Sequence, residues 1–242
     1  MVIVLPLIEI KEEGPAMVVR MNRPEKLNAL NGEMWASMAD AVSRAEERGL
    51  AGMVFTGTGR AFSAGDDISS MYGLDSEEKS VAFFSLISTF FRRIASTPLA
   101  VACAVNGLAY GGGCEMLLLS DFNSSVPGAR FALPEVKIGL ISPIGCIFAG
   151  QDRRLRKYIL TGREFGVEEA QGLGIIDSVS SDPLAECLSF VSAVSGSPAP
   201  GRRSARSRFM GLQDAVHRNV MELARLSVSG EAKAAFRAFL ER

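Results

Sequence analysis

Apolar and polar positions along the chain alternate in short runs and then recur at helical spacing. The apolar start Val2–Ile8 is broken by Pro6 and runs into Glu9. It is too short for a secretory signal or a membrane span and reads as a first strand. Ile8–Lys11 and Met17–Met21 are β-like runs separated by Gly14-Pro15, a hairpin signal. Asn31 can cap a helix running to Arg48, with Met34, Met38, Ala41, Val42 and Ala45 on one face. Gly52–Thr56 is an apolar strand closed by Gly57-Thr58-Gly59. A second helix follows Ser76, with Glu77 and Glu78 where the helix dipole favours them. Its apolar positions are Val81, Phe84, Ile87, Phe91 and Ile94; Pro98 ends it, and Leu99–Val105 is a fully apolar strand.

Beyond Asn106 the pattern gives a glycine turn, Gly111–Gly113, and a short apolar helix through Leu119. Phe122–Val126 and Arg130–Leu133 are β-like, and Ile175–Val179 reads as the last core strand. The rest is helical except for the Ser, Gly and Pro residues of Ser195–Gly201, which suggest a boundary between residues 1–195 and 196–242. Strands alternating with helices predict an α/β fold, and both a doubly wound sheet and a coiled stack of ββα units fit.

Composition adds a charge asymmetry. The 242 residues are 48% hydrophobic and carry a net charge of -1, with no overall bias towards nucleic acid or membrane. From Gly196 to Arg242, however, nine Lys/Arg face four Asp/Glu, a net of +5, and the remainder carries 17 basic against 23 acidic residues, a net of -6. Either this tail meets an anionic ligand, with Lys233 and Arg237 as candidate contacts, or an acidic partner surface, or it is a solvated helical face. The four cysteines form no CxxC pair and the single histidine, His217, reads as a surface residue, so no metal site is expected. Free thiols fit a reducing cytoplasm.

Three stretches could carry chemistry. In Gly59–Ile68 the small residues Ser63-Ala64-Gly65 leave backbone amides uncovered after an apolar strand, before Asp66 and Asp67. Such amides suit a developing anion, although glycine turns followed by aspartate are also common loops. In Asn106–Glu115 three glycines place unpaired N–H groups at a helix N-terminus, with Glu115 in the first turn. A merely strained turn with a favourable glutamate fits equally. The stretch lacks the spacing of nucleotide loops. Glu135 follows Pro134 among apolar residues, where a desolvated carboxyl would be a proton donor; an exposed turn glutamate is the alternative.

In this order, these stretches resemble the crotonase (enoyl-CoA hydratase/isomerase) family. Asn22–Leu30 is similar to the family's early motif, and Leu160-Thr161-Gly162-Arg163 with Glu169-Ala170 and Gly172-Leu173 to its later landmark. Ala238–Arg242 resembles a shortened form of its terminal signature. The resemblance implies an α/β superhelix of ββα units with a helical C-terminal trimerisation region, giving a trimer or a dimer of trimers. It implies a thioester oxyanion hole from the amides of Ala64 and Gly112, and an acyl-CoA site at Lys26, Leu27, Ala64, Gly65, Asp66, Asp67, Ile68, Gly111 and Gly112. Glu115 and Glu135 fall where hydratases carry their two catalytic glutamates. Coenzyme A would be part of the substrate, with no separate cofactor, no nucleic acid and no membrane partner.

The chemistry agrees with that implication. Attack of water at C3 of a conjugated thioester pushes charge onto its oxygen, which amide donors stabilise. Glu115 would activate water and Glu135 would deliver a proton to C2. The expected activity is therefore enoyl-CoA hydration. An isomerase or other enolate reaction is the alternative within the family, and an idle oligomeric binding protein, such as an RNA binder, the alternative outside it. Ile141–Phe148 departs from the family's usual glycine-rich turn, which puts acyl-chain length in question.

Overall fold

The computed structural model describes residues 2–5, 7–198, 200–201, 204 and 212–241. Arg202, Arg203, Arg206, Arg208 and Arg242, over half of the cations in the basic tail, lie outside the described residues. Three antiparallel strands open the chain: β1 (Val2–Leu5), β2 (Ile8–Glu13) and β3 (Ala16–Met21). Helix α1 (Gly32–Glu47) starts where Asn31 Oδ1 accepts the N–H of Met34 at 2.9 Å. Its buried stripe contains the five expected residues, together with Trp35 and Ala39.

The next elements repeat a strand–strand–helix cycle. β4 (Gly52–Gly57) and β5 (Ala61–Ser63) lead to the short α2 (Ile68–Tyr72) and to α3 (Glu77–Ser96). β6 (Ala100–Val105) and β7 (Leu108–Tyr110) lead to α4 (Gly112–Leu119). β8 (Phe122–Ser125) and β9 (Arg130–Ala132) lead to a 3₁₀ turn, Glu135–Ile138, and α5 (Pro143–Gln151). The first strand of each cycle joins a large sheet, in which β3, β4, β6 and β8 are parallel neighbours. The second joins a small sheet of order β10-β9-β7-β5, where β10 is Phe165–Gly166. This is the ββα superhelix that the family resemblance implies, and it excludes the doubly wound alternative. Between α5 and β10 lies α6 (Arg156–Thr161), and α7 (Val167–Gly172) follows. β4 and β6 are buried along their whole length, as parallel strands covered on both faces require.

Two local expectations change. Val81 is 36% exposed, and the buried stripe of α3 instead takes in Ser80 and Ser88. Ser80 Oγ donates to the carbonyl of Ala224 at 2.7 Å, so this hydroxyl is satisfied in the core, which an apolar-only pattern overlooks. The last strand, β11, is only Ser178–Val179. The amides of Ile175 and Ile176 are drawn to the Ala170 carbonyl at the end of α7, and pairing with β8 begins after them.

Helix α8 (Pro183–Ser195) covers the outer face of the large sheet through Cys187 and Val191. The final helices, α9 (Gln213–Ser227) and α10 (Gly230–Leu240), return to the main core: α9 packs on α3 and α5, and α10 on α2 and the 135–138 turn. Val220, Leu223, Ala224 and Phe236 are thereby buried within one chain, whereas Phe239 is 54% exposed. Most of the apolar C-terminal face therefore needs no second subunit to cover it. Lys233 Nζ donates to the carbonyls of Met71 (2.9 Å), Tyr72 (3.0 Å) and Leu74 at the end of α2, and Arg237 Nε donates to the Tyr72 hydroxyl at 3.3 Å. Lys233 thus braces α2, and Arg237 meets it through Nε alone. Among the described residues no helix is long and apolar enough to cross a membrane.

Because Phe236 belongs to the same core as the ββα units, Phe236→Ala should lower the stability of the whole chain by about 3–5 kcal/mol. Urea unfolding followed by circular dichroism should show one earlier transition. Loss of helical signal from the C-terminal region alone, with the main transition unmoved, would contradict a shared core.

Candidate active site

β5, β7 and β9 are adjacent parallel strands, so three segments distant in sequence emerge side by side from their carboxyl ends. These are the 64–66 turn, the start of α4, and Pro134-Glu135. The first two meet at glycines. Gly65 has φ +86° and a Cβ there would lie 2.7 Å from the Tyr110 carbonyl oxygen; Gly111 has φ +51° and its Cα is 3.2 Å from that same Cβ position. Only glycine permits both the left-handed backbone and this approach.

The 64–66 turn is fixed from behind by the 23–30 loop. Gly65 accepts from the Leu30 amide at 2.8 Å, and Arg23 pairs with Asp67 at 2.5 Å. The Ala64 amide donates to the Leu27 carbonyl at 2.9 Å. Ala64 is therefore not a free oxyanion donor, which corrects the expected pair. The amide of Asp66, two residues on, donates to no acceptor among the described residues, and neither does that of Gly112 at the start of α4. The available pair is Asp66 and Gly112.

Beside these amides lies a small pocket lined by Ala64, Gly65, Asp66, Ile68, Gly111, Glu115 and Glu135, with an apolar wall that includes Met71, Leu140 and Leu223. Both candidate glutamates thus face one space, with most of the expected acyl-CoA contacts. Asp67 does not line it, because its carboxylate caps α2 through the Ser69 amide (2.8 Å) and holds Arg23. Lys26, exposed on a 3₁₀ turn, and Leu27 stand behind the turn.

The glutamates differ in their partners. Glu115 Oε1 accepts from Ser142 Oγ (2.5 Å) and from the amides of Ile144 (2.8 Å) and Gly145 (3.1 Å), at the N-terminus of α5. Glu135 accepts only from its own backbone amide, and its Oε2 is buried without a partner among the described residues. Burial raises the pKa of both. At Glu115 the donors from Ser142 and α5 oppose the rise. At Glu135 the charge of Glu115 adds to burial and pushes it higher still. Glu115 is the carboxyl that ionises first, and Glu135 the one that keeps its proton.

Ser142 and the α5 amides were not among the expected site residues. The available signal was Ser142-Pro143, a cap residue followed by proline at a first helical position. A larger cavity of about 330 Å³ lies at the far end of α4, but its carboxylates are engaged: Asp121 by the Val101 amide, Asp177 by the Asn123 amide and Asp152 by Arg154.

The family model for enoyl-CoA hydratase/isomerase matches residues 11–192. The chain belongs to this family. A Thermus thermophilus protein provisionally named an enoyl-CoA hydratase is 30% identical over 245 residues, 96% of each chain. The short-chain-enoyl-CoA hydratase of Clostridium acetobutylicum is 32% identical over 179 residues, 70% of this chain and 67% of that one. The crystal structure of an enoyl-CoA hydratase/isomerase from Mycobacterium paratuberculosis superposes with a TM-score of 0.88 at 24% identity, covering 96% of this chain and 98% of that one, a likeness of fold.

Family membership does not change what burial costs Glu135. Its folded pKa lies well above the ordinary 4.5, so its contribution to stability is complete below that value and is lost as pH rises towards the folded pKa. Glu135→Gln, which cannot ionise, should therefore melt at a progressively higher temperature than the parent as pH rises from acid to alkaline. Parallel melting curves across pH would mean that Glu135 is solvated.

Proposed function

We propose that the protein is an enoyl-CoA hydratase, adding water across the double bond of a trans-2-enoyl-CoA to give a 3-hydroxyacyl-CoA. The observation that carries this reading is the unequal pair of carboxyls facing one pocket, Glu115 held by three donors from Ser142 and α5 and Glu135 by its own backbone amide alone. Unequal environments let two like groups stand in opposite protonation states. Ionised Glu115 takes a proton from water as its oxygen bonds to C3. The π electrons move towards the thioester oxygen, stabilised by the amides of Asp66 and Gly112. Neutral Glu135 then protonates C2, and the two carboxyls exchange protons to reset the site. A double-bond shift needs one proton carrier and leaves the grip of Ser142 and α5 on Glu115 without a purpose.

Two further readings rest on the family alone. The substrate's coenzyme A would enter past the 64–66 turn, and the chain would assemble as a trimer or dimer of trimers, for which the exposed Phe239 and Leu240 offer an apolar contact.

The test is a panel of trans-2-enoyl-CoA thioesters, followed by loss of the conjugated chromophore. Glu115→Gln should lower turnover by about 10²–10⁴-fold while leaving thioester binding nearly intact. Glu135→Gln should suppress both hydration and C2 proton exchange. In the parent, activity should fall on the acid side as Glu115 gains a proton, at a pH displaced upward from the ordinary glutamate range towards 7. A parent enzyme that hydrates nothing but moves a double bond from the 3 to the 2 position, with Glu115→Gln still active, would make it an isomerase.

A further inference from the structure

Hydration gives two of the three carboxyls in the pocket a task and leaves Asp66 without one. Asp66 Oδ1 accepts the indole N–H of Trp35 at 2.8 Å. Trp35 is fully buried on α1, and its ring underlies Gly112: a Cβ on Gly112 would come within 3.0 Å of the ring and 3.6 Å of Asp66 Oδ2. Oδ2 thus sits beside Gly112, in a residue that lines the pocket, with no hydrogen-bond partner among the described residues. Indole nitrogen can only donate, and the carbonyl oxygen of a neutral carboxyl is its better acceptor, so this bond favours Oδ2 as the oxygen that carries the proton.

The charges around Asp66 are mostly of its own sign. Asp67 follows it in the chain, Glu115 faces it from α4 and Glu135 from the 135–138 turn, while α1 presents Trp35. Arg23 is held by Asp67 (2.5 Å) and by the Ala29 carbonyl (3.1 Å). An ionised Asp66 would add a negative charge next to the amides that receive the thioester oxygen.

We propose that Asp66, in its neutral form, is a catalytic residue whose Oδ2–H is a third hydrogen-bond donor to the thioester oxygen, beside the amides of Asp66 and Gly112. This rests on the enolate chemistry of the proposed function. The proton stays on Asp66 throughout; it is shared as charge grows on the substrate oxygen and is not transferred. Burial supports the neutral form, raising the carboxyl from 3.8 to about 7 against the pull of the Trp35 hydrogen bond, with the charge of Asp67 adding to the rise. The donor is therefore present below about pH 7 and lost as pH rises through it.

The experiment compares the parent, Asp66→Ala, Asp66→Asn and Trp35→Phe in kcat/KM for a short enoyl-CoA across pH, with folding checked by circular dichroism. Asp66→Ala should lower kcat/KM at acid pH by about 10–100-fold, the range for a hydrogen bond to a charged group. Asp66→Asn keeps an N–H donor and an acceptor for Trp35. It should lose less, and its activity should no longer decline as pH rises through about 7. Trp35→Phe removes the bond that favours ionised Asp66, so the decline should move to higher pH. Calorimetric binding of butyryl-CoA, which undergoes no hydration, provides a second readout: Asp66→Ala should weaken it about fivefold, the worth of one net hydrogen bond. A folded Asp66→Ala with parental kcat/KM and parental binding, or an alkaline decline identical in parent and Asp66→Asn, overturns the proposal. If no enoyl-CoA is hydrated yet butyryl-CoA binding still weakens in Asp66→Ala, the hydratase reading fails and the donor stands.

Discussion

The parallel pairing of β5, β7 and β9 is the constraint on which the site depends. Each strand is only three residues long and belongs to a different ββα cycle. Their common direction brings an amide-rich turn, a helix N-terminus and a buried glutamate to one edge, although these lie some 70 residues apart from first to last. The close passage of Gly65 and Gly111 follows from this pairing. So does the position of Glu115, which points into the space that the pairing leaves open. Short strands can bear this role because Phe62, Ala109 and Phe131 tie them into the same core as the large sheet and its helices.

Long periodic elements were legible from the sequence because packing follows periodicity. The Asn31 and Ser76 caps, the stripe of α1 and the apolar runs of β4 and β6 all lie where the pattern places them. The elements that build the site were less legible. β5 and β7 are too short to display alternation, and α2 and α5 have no long amphipathic face to announce them. Their existence is decided by partners far away in the chain. Ser80 illustrates the same limit, since its core position depends on a carbonyl that a remote helix supplies.

The functional stretches were recognisable because glycine and buried acid are conspicuous in sequence, but which amide is free was not. Ala64 and Asp66 stand on the same turn, and only the position of the Leu27 carbonyl separates an occupied amide from an available one. The segment Ile141–Phe148, which departs from the family pattern, supplies the Ser142 hydroxyl and the two α5 amides around Glu115. A departure in sequence here coincides with a tightly specified piece of structure. The electrostatic contrast between the two glutamates originates there as much as in the glutamates themselves.

The contribution of one C-terminal helix to the pocket has a consequence for how this scaffold can vary. Leu223 is carried by α9, whereas Asp66, Glu115 and Glu135 are all carried by the ββα cycles. One residue of the pocket's apolar wall, which otherwise comes from the cycles through Met71 and Leu140, is therefore encoded apart from all three carboxyls. Drift at position 223 can reshape one side of the pocket while all three carboxyls stay where they are. The width of the pocket can thus vary apart from the charged groups that face it.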